Sequence, residues 1–275
     1  MRRPEPLRTF LALAALAVAG CGGDPGYVRT SVEGQRNFTR TATEVHVSDK
    51  RRGTSAQAQR NLVLAREHLA KGDLAAAERA AADVIRQDPT SIDGQTVMAS
   101  ILSRKGDSSG AGAHFRKAVE LAPANPHALN NYGLWLCGQG RARDSLVLFD
   151  KALAAAREQP TVLANAGVCA EQAGDQARAE RDLRRSVALD PVNAKALGAI
   201  ARRQFQAGNA FEARAFSERR LAAAPPDPQA LLLASQIEEK LGDTAAAARY
   251  VARLKKEFPG APEARGSTTG EGGRQ

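Results

Sequence analysis

Apolar residues along most of this chain recur in pairs of short segments with the spacing of an amphipathic helix. Residues 62–70 and 75–86 form one such pair, and within each segment apolar side chains return every three or four positions. Alanine and leucine dominate while runs of β-branched residues are rare, which favours helix because alanine and leucine have high helix propensity. The pattern predicts an all-α protein built from pairs of helices.

A period of 34 residues organises these segments. Glycine returns at this interval, at Gly72, Gly106, Gly140, Gly174, Gly208 and Gly242. Proline follows 17 residues after the glycine in five of the six units, with Arg157 as the exception, at Pro89, Pro123, Pro191, Pro225 and Pro259. A small residue stands five positions after each glycine, at Ala77, Ala111, Ser145, Ala179, Ala213 and Ala247. The regular spacing predicts six copies of one structural unit.

Each of these positions has a physical role in a helical hairpin. Glycine allows the turn between the two helices, because it adopts backbone conformations that other residues avoid. The small residue lets the two helices approach closely, and proline ends the second helix because it lacks an amide hydrogen. In its period and in these positions the chain resembles the tetratricopeptide repeat. One hairpin cannot bury its apolar face alone, so the resemblance implies a stack of hairpins.

The predicted fold is a tetratricopeptide-repeat, right-handed superhelical solenoid of six helical hairpins. The repeats are placed at residues 58–91, 92–125, 126–159, 160–193, 194–227 and 228–261. Gly133 and Gly167 stand where the family has a small side chain against the second helix. Residues 21–57 carry Gly, Ser, Thr and Arg with little helical pattern and are predicted to be a flexible tether. Residues 262–275 are predicted to be a disordered tail.

The N-terminal segment has the features of an export signal. Basic residues precede an apolar run over residues 10–18, which is too short to cross a membrane because a spanning helix needs about 20 residues. Residues 1–20 are therefore predicted to be a signal peptide. The small residues before Cys21 resemble the lipobox of bacterial lipoproteins. This resemblance implies lipidation of Cys21 and, because Gly22 follows it, an outer-membrane anchor facing the periplasm; the alternative is an ordinary secretory signal.

Charge and composition narrow the classes of partner. The formal net charge of +9 is scattered along the chain, and only 4 % of the residues are aromatic. Nucleic-acid binding favours basic residues clustered on one face with aromatic residues between them, so no nucleic-acid partner is expected. Anionic lipid headgroups, an acidic partner or a solvated helical surface all fit this charge.

No sequence motif for catalysis or metal binding stands out. The four histidines have no ligand spacing and fall on separate elements, at His46, His68, His114 and His127. The sequence also lacks Ser-His-Asp and phosphate-loop signatures. We therefore expect no enzyme activity, no cofactor, no metal and no small-molecule substrate.

Cys137 and Cys169 fall on the first helices of repeats three and four, which are neighbours in the predicted stack. In an oxidising periplasm these two side chains can form a disulfide. In the loop-entropy model, closing about 30 residues stabilises the fold by roughly 3 to 4 kcal/mol. The alternative is a pair of buried thiols that act as small apolar residues.

The inner surface of the solenoid is the predicted binding site, because the first helices present their exposed faces there. Eight residues are predicted to lie on it, namely Asn130, Asn131, Leu134, Asn165, Val168, Arg202, Phe205 and Gln206. Asn131 and Asn165 hold the same position in successive repeats. A side-chain amide both donates and accepts hydrogen bonds, so two stacked amides could bind an extended peptide segment. The alternative is that asparagine simply tolerates a solvent-facing groove.

A narrower resemblance covers nearly all of the chain after residue 20. The runs at residues 130–141 and 165–170, together with Cys21 and the six repeats, resemble the type IV pilus biogenesis lipoproteins of the PilF/PilW family. The resemblance implies a pilotin, an outer-membrane lipoprotein that helps secretin subunits reach that membrane and assemble into a ring. The alternatives are a lipoprotein of another assembly system, such as a Tad-type pilus or a secretion machine, and an adaptor for peptidoglycan enzymes.

Overall fold

The computed structural model describes residues 55–156 and 159–266, and within these ranges the regular elements are α-helices in consecutive hairpins. The first helices of the hairpins are α1 (Ala56–Lys71), α3 (Ile92–Lys105), α5 (Pro126–Gly138), α7 (Pro160–Gln172), α9 (Ala194–Gln206) and α11 (Pro228–Leu241). The second helices are α2 (Leu74–Gln87), α4 (Ser108–Leu121), α6 (Ala142–Ala155), α8 (Gln176–Leu189), α10 (Ala210–Ala223) and α12 (Thr244–Glu257), and a short helix, α13 (Pro262–Gly266), follows. The predicted all-α hairpin fold is confirmed.

The periodic glycines make the turns inside the hairpins. All six have φ between 76° and 85°, in the left-handed region that residues with a Cβ avoid. At the end of α1, the amide of Gly72 donates to the carbonyl of Leu69 at 3.2 Å, and the amide of Asp73 donates to that of His68 at 3.0 Å. This pair of bonds satisfies the last carbonyls of the helix. The Asp73 carboxylate then accepts from the amide of Ala76 at 3.0 Å and caps α2.

Small residues bring the two helices of each hairpin together. Five of the six periodic small side chains are fully buried, namely Ala77, Ala111, Ser145, Ala179 and Ala213. The facing helix contributes glycines: a Cβ on Gly167 would lie 2.6 Å from Leu183 Cγ, and a Cβ on Gly133 would lie 3.0 Å from Phe149 Cε1. Real Cβ contacts are longer, so these glycines set how closely α5 and α7 approach their second helices.

Apolar packing and ion pairs join successive hairpins. One buried cluster combines Leu129 and Phe149 of repeat three with Val162 and Ala166 of repeat four. Arg178 on α8 reaches back to Asp150 on α6, with Nη2 2.6 Å from Oδ1. Because one hairpin cannot cover its own apolar face, these contacts between neighbours stabilise the array.

The junction between repeats three and four keeps the regular spacing without the periodic proline. Arg157, which stands in place of that proline, lies outside the described residues. The second helix α6 ends at Ala155 and α7 begins at Pro160, the same interval as between α4 and α5. Proline is favoured at the first position of a helix, because its missing amide hydrogen has no partner there. Pro160 therefore marks the start of repeat four.

Both ends of the array differ from the predicted boundaries. The first helix begins at Ala56, inside the predicted tether, because the Ser55 hydroxyl accepts from the amide of Ala58 at 3.1 Å and caps it. Residues 262–266 form α13, so the prediction of disorder is wrong for these five residues, and the rest of the predicted tail lies outside the described residues. Ala264 on α13 is 7 % exposed and packs with Leu231 and Leu254. This helix therefore covers part of the apolar surface of repeat six.

Candidate functional site

The first helices of the hairpins line the inner side of the array. Successive first helices contact one another, as α5 contacts α7 and α7 contacts α9, whereas within the described ranges successive second helices do not. When the helices of one row touch their neighbours and the helices of the other row lie farther apart, the stack curves. The touching row then lies on the inner side of the curve. The exposed faces of the first helices therefore form the concave surface.

The eight residues predicted for this surface lie on α5, α7 and α9 at different depths. Leu134 is 40 % exposed, whereas Asn165 is only 2 % exposed. Gln206 is exposed, and the other five are half-buried, namely Asn130, Asn131, Val168, Arg202 and Phe205. Leu134 and Val168 hold the same position in successive repeats and supply apolar side chains to the middle of the concave surface.

The predicted stacking of Asn131 on Asn165 is not what the structure shows. Asn165 Nδ2 instead donates to Asn130 Oδ1 at 2.9 Å, and Asn165 Oδ1 accepts from Lys195 Nζ at 2.6 Å. A buried polar group without a partner costs about 1–3 kcal/mol, so burial commits this amide to partners inside the protein. This corrects the prediction that Asn165 is free to bind a peptide directly.

Four polar side chains together form what we call the amide ladder: Lys195 on α9, Asn165 on α7, and Asn130 and Asn131 on α5. Its last bond joins Asn130 Nδ2 to Asn131 Oδ1 at 3.3 Å. The ladder thus connects three successive repeats across the concave surface. It orders side chains that would otherwise be free to rotate.

Sequence inspection missed Lys195, although a signal for it exists. Lys195 lies 30 residues after Asn165, which is one repeat less about one helical turn of 3.6 residues. In a stack with a 34-residue period, such a pair lies on neighbouring first helices one turn apart. A search for polar residues at this spacing would have found it.

The basic side chains on α9 differ in whether an acidic side chain of the described residues lies near them. Arg202 Nη2 lies 3.8 Å from Glu171 Oε2, and Arg203 Nη1 lies 3.8 Å from Glu171 Oε1. Lys195 has only the neutral Asn165 as a partner among the described residues. Lys195 as a whole residue is exposed, and desolvation of its ammonium group by the surrounding protein lowers the pKa of Lys195.

A disulfide joins the two helices that carry the three asparagines. The structure places Cys137 Sγ 2.12 Å from Cys169 Sγ, and both side chains are buried. The bond links α5 to α7 directly. It therefore holds Asn130 and Asn131 in position relative to Asn165.

The described residues hold no cluster of three or more His, Cys, Asp or Glu side chains that could bind a metal ion. His68 Nδ1 is 3.7 Å from an oxygen of Asp73, and His114 Nδ1 is 2.7 Å from Gln95 Oε1. Burial lowers the pKa of His114, against the opposing charge of Asp107. Each of these histidines therefore has its own local partner.

None of the helices within residues 55–156 and 159–266 combines the length and the apolarity needed to span a bilayer. The predicted signal peptide, Cys21 and most of the predicted tether lie outside those ranges.

Comparison with known proteins identifies the repeat. Residues 62–126 and 136–194 match the tetratricopeptide repeat model. Cellulose synthase operon protein C of Pseudomonas fluorescens (strain SBW25) is 33 % identical over 141 residues, which is 47 % of this chain and 11 % of that protein. The chain thus spans only a small part of the length of this curated relative. Tetratricopeptide repeats are typically non-catalytic and bind other proteins on their extended concave surfaces.

Solved structures give a similarity over most of the described chain. PilW, a widely conserved type IV pilus biogenesis factor, superposes with a TM-score of 0.67 at 29 % identity, covering 77 % of this chain and 98 % of PilW. PilF of Pseudomonas aeruginosa superposes with a TM-score of 0.66 at 22 % identity, covering 78 % of this chain and 98 % of PilF, which shows a shared fold. The chain contains tetratricopeptide repeats, and its fold is similar to that of the type IV pilus biogenesis factors PilW and PilF.

Proposed function

We propose that this protein is an outer-membrane lipoprotein of type IV pilus biogenesis that assists secretin subunits in reaching that membrane and forming multimers. The similarity to PilW carries the proposal, because it extends over 98 % of the PilW chain and 77 % of this one. In this proposal Cys21 carries the lipid, residues 22–54 connect it to the repeats, and the concave surface binds the client.

The arrangement suits an assembly factor. Several acyl chains on Cys21 would hold the protein at the membrane, whereas one chain alone binds only weakly. A solenoid tethered in this way keeps a bound subunit beside the membrane and raises its effective concentration for ring closure. Such a role requires binding and release but no chemical step.

The test is the amount of detergent-resistant secretin multimer in outer membranes of cells with and without the gene. Without the gene we expect multimer to be lost and monomer to accumulate, and restoring the wild-type gene should reverse both changes. Multimer at its normal level in cells that lack the gene would refute the proposal.

The lipid anchor has its own test. The Cys21→Ala variant should leave the repeats folded, as judged by circular dichroism, but release the protein from the membrane fraction and impair multimer formation. If this variant still sediments with membranes as the wild type does, the anchor at Cys21 is refuted.

A second candidate is a repeat scaffold for a different assembly system. This candidate is favoured by the 33 % identity to a cellulose synthase operon protein. That identity shows that related repeats occur in a protein whose name refers to cellulose synthesis and not to pili. Normal secretin multimers in the deletion strain, together with specific co-purification of proteins from another envelope machine, would favour this candidate over the first.

A further inference from the structure

We propose that the convex face of the array docks on the anionic phospholipid headgroups of the membrane to which the protein is anchored. The inference rests on the lipid anchor at Cys21 in the proposed function and adds the orientation of the repeats on that membrane. It follows from basic side chains that recur once per repeat on the second helices.

Five second helices carry a basic residue at the same place. In α4, α6, α8, α10 and α12, each of 14 residues, the tenth residue is Lys or Arg. These five residues form what we call the basic row: Lys117, Lys151, Arg185, Arg219 and Arg253. They recur at the repeat period of 34 residues, so equivalent repeats turn them to the same side. In α2 the equivalent residue is Asp83, so the row covers repeats two to six.

The basic row faces solvent on the convex side of the array. All five of its residues are exposed. Successive first helices contact one another, whereas within residues 55–156 and 159–266 successive second helices do not, so the second helices form the outer, convex side. The row therefore runs along the convex face from repeat two to repeat six.

Exposed basic residues outnumber exposed acidic ones on the second helices. Arg181 and Arg249 are also exposed and stand about one helical turn before members of the row, which they widen. Among the described residues, the exposed acidic positions of the second helices are Glu120, Asp144, Asp150, Glu218 and Glu257. The row alone equals these in number, so the further exposed arginines and lysines give the convex face a net positive charge.

The contacts of the row leave its charge available. Lys117 and Arg253 form pairs within their own helices that are exposed to water, and such pairs contribute little and are screened by salt. Arg219 Nη2 donates to the neutral carbonyl of Pro191 at 3.1 Å. Lys151 Nζ has no acidic side chain of the described residues within ion-pair distance. A second anionic surface can therefore interact with these side chains without breaking a buried contact.

The shape of the convex face favours a lipid surface over a folded acidic protein. Exposed alanines such as Ala188 and Ala215 stand within one helical turn of the row, so the long basic side chains project beyond their surroundings. A specific protein interface has an apolar centre, whereas the large exposed apolar side chains of the described second helices lie on three different helices, as Val147, Leu189 and Phe211. An anionic bilayer attracts separate Lys and Arg side chains without needing a pocket.

The proposed anchor makes such docking effective and gives it a purpose. Residues 22–54 can span about 110 Å at most when fully extended, so the lipid on Cys21 keeps the array near the bilayer but does not set its orientation. Anchoring raises the effective concentration of the row at the headgroups. With the convex face against the membrane, the concave surface points away from it, where a client can enter.

The test is co-sedimentation with lipid vesicles. It uses the predicted mature chain, residues 21–275, with Cys21→Ala, so that no lipid on the protein contributes to binding. One set of vesicles contains phosphatidylglycerol and phosphatidylcholine in equal parts, and the other contains phosphatidylcholine alone. Each basic side chain near an anionic surface strengthens binding about fivefold, so we expect binding to the anionic vesicles to be at least about tenfold tighter. Added salt should weaken it.

Variants with equal charge changes show whether the row carries the preference. Lys151→Gln with Arg219→Gln removes two charges from the middle of the row and should lower binding to the anionic vesicles about twentyfold. The control is Lys71→Gln with Lys240→Gln, at exposed positions on the first helices α1 and α11, and it should bind as the parent chain does.

Thermal unfolding of each variant checks that the repeats remain folded. If Arg219→Gln lowers the melting temperature through its lost bond to Pro191, Lys117→Gln with Lys151→Gln makes the same charge change within the row and should give the same loss of binding. The lipid anchor is tested separately, because membranes washed in high salt retain the protein through the lipid on Cys21 and not through the row.

The outcomes separate this inference from the proposed function. Equal binding to the two kinds of vesicle, or an equal loss in the row variant and the control, would overturn the docking surface even if secretin multimers depend on the gene. A protein captured in cells by a photoreactive amino acid at residue 147, beside the row, would assign the convex face to a protein partner instead. An anionic preference lost only in the row variant supports the docking surface even if secretin proves not to be the client.

Discussion

Gly167 is a sensitive test of how the hairpins pack. Replacing it with alanine adds one methyl group where α7 meets α8. The new Cβ would lie 2.6 Å from Leu183 Cγ, 2.9 Å from its Cδ2 and 3.1 Å from its backbone nitrogen. Leu183 is itself fully buried, so the methyl group cannot be accommodated by moving one exposed side chain. The two helices must shift apart.

The expected cost combines two opposing effects. Overpacking by one methyl group in a tight interface costs about 1–3 kcal/mol, and the contact with backbone argues for the upper part of that range. Alanine is favoured over glycine inside a helix by about 1 kcal/mol. We therefore expect Gly167→Ala to lower the free energy of unfolding by about 2 kcal/mol.

A matched substitution isolates the steric effect. Gly138 is the last residue of α5, and a Cβ there would have nothing within 4 Å. Gly138→Ala should therefore leave stability unchanged or raise it slightly. Urea unfolding of both variants, followed by circular dichroism at 222 nm as the usual helix signal, gives the comparison. If Gly167→Ala is at least as stable as the wild type, the close approach of α7 and α8 is wrong.

Two further predictions concern the links between repeats. Replacing Cys137 and Cys169 together with alanine should lower the free energy of unfolding by about 3–4 kcal/mol, the loop-entropy value for a separation of 32 residues, and equal free-thiol counts before and after reduction of the unfolded protein would rule the disulfide out. Arg178→Met should destabilise the protein by about 2 kcal/mol, because the buried Asp182 carboxylate loses its hydrogen bond to Arg178 and keeps only the more exposed Arg181 as a cation. Arg253→Met, at an exposed ion pair, should change stability by less than about 1 kcal/mol; similar losses in the two arginine variants would contradict the second prediction.

The hairpins could be predicted from sequence because each depends on local geometry, and the residues that determine this geometry recur six times. A glycine at a fixed interval gives a left-handed turn, and a small residue five positions later gives a close helix contact. Both follow from the chain within one hairpin. The agreement holds even at Arg157, where proline is absent, because Pro160 marks the start of the next helix.

The polar contacts of the concave surface could not be predicted in the same way. They depend on how far one hairpin rotates and shifts against the next, which the period alone does not specify. Equal positions in successive repeats suggested Asn131 beside Asn165, whereas the actual shift pairs Asn165 with Asn130 and with Lys195. The short helix α13 escaped prediction for a related reason, since its apolar contact is with a surface that only the folded array creates.

The most direct measurement of the proposed function is site-specific photo-crosslinking in living cells. A photoreactive amino acid at Leu134, which is 40 % exposed on the inner helix α5, is compared with one at Val147, which is 55 % exposed on the outer helix α6. The proposal predicts crosslinks to secretin subunits from residue 134 and none from residue 147. Secretin captured from neither position, or equally from both, would contradict binding through the concave surface.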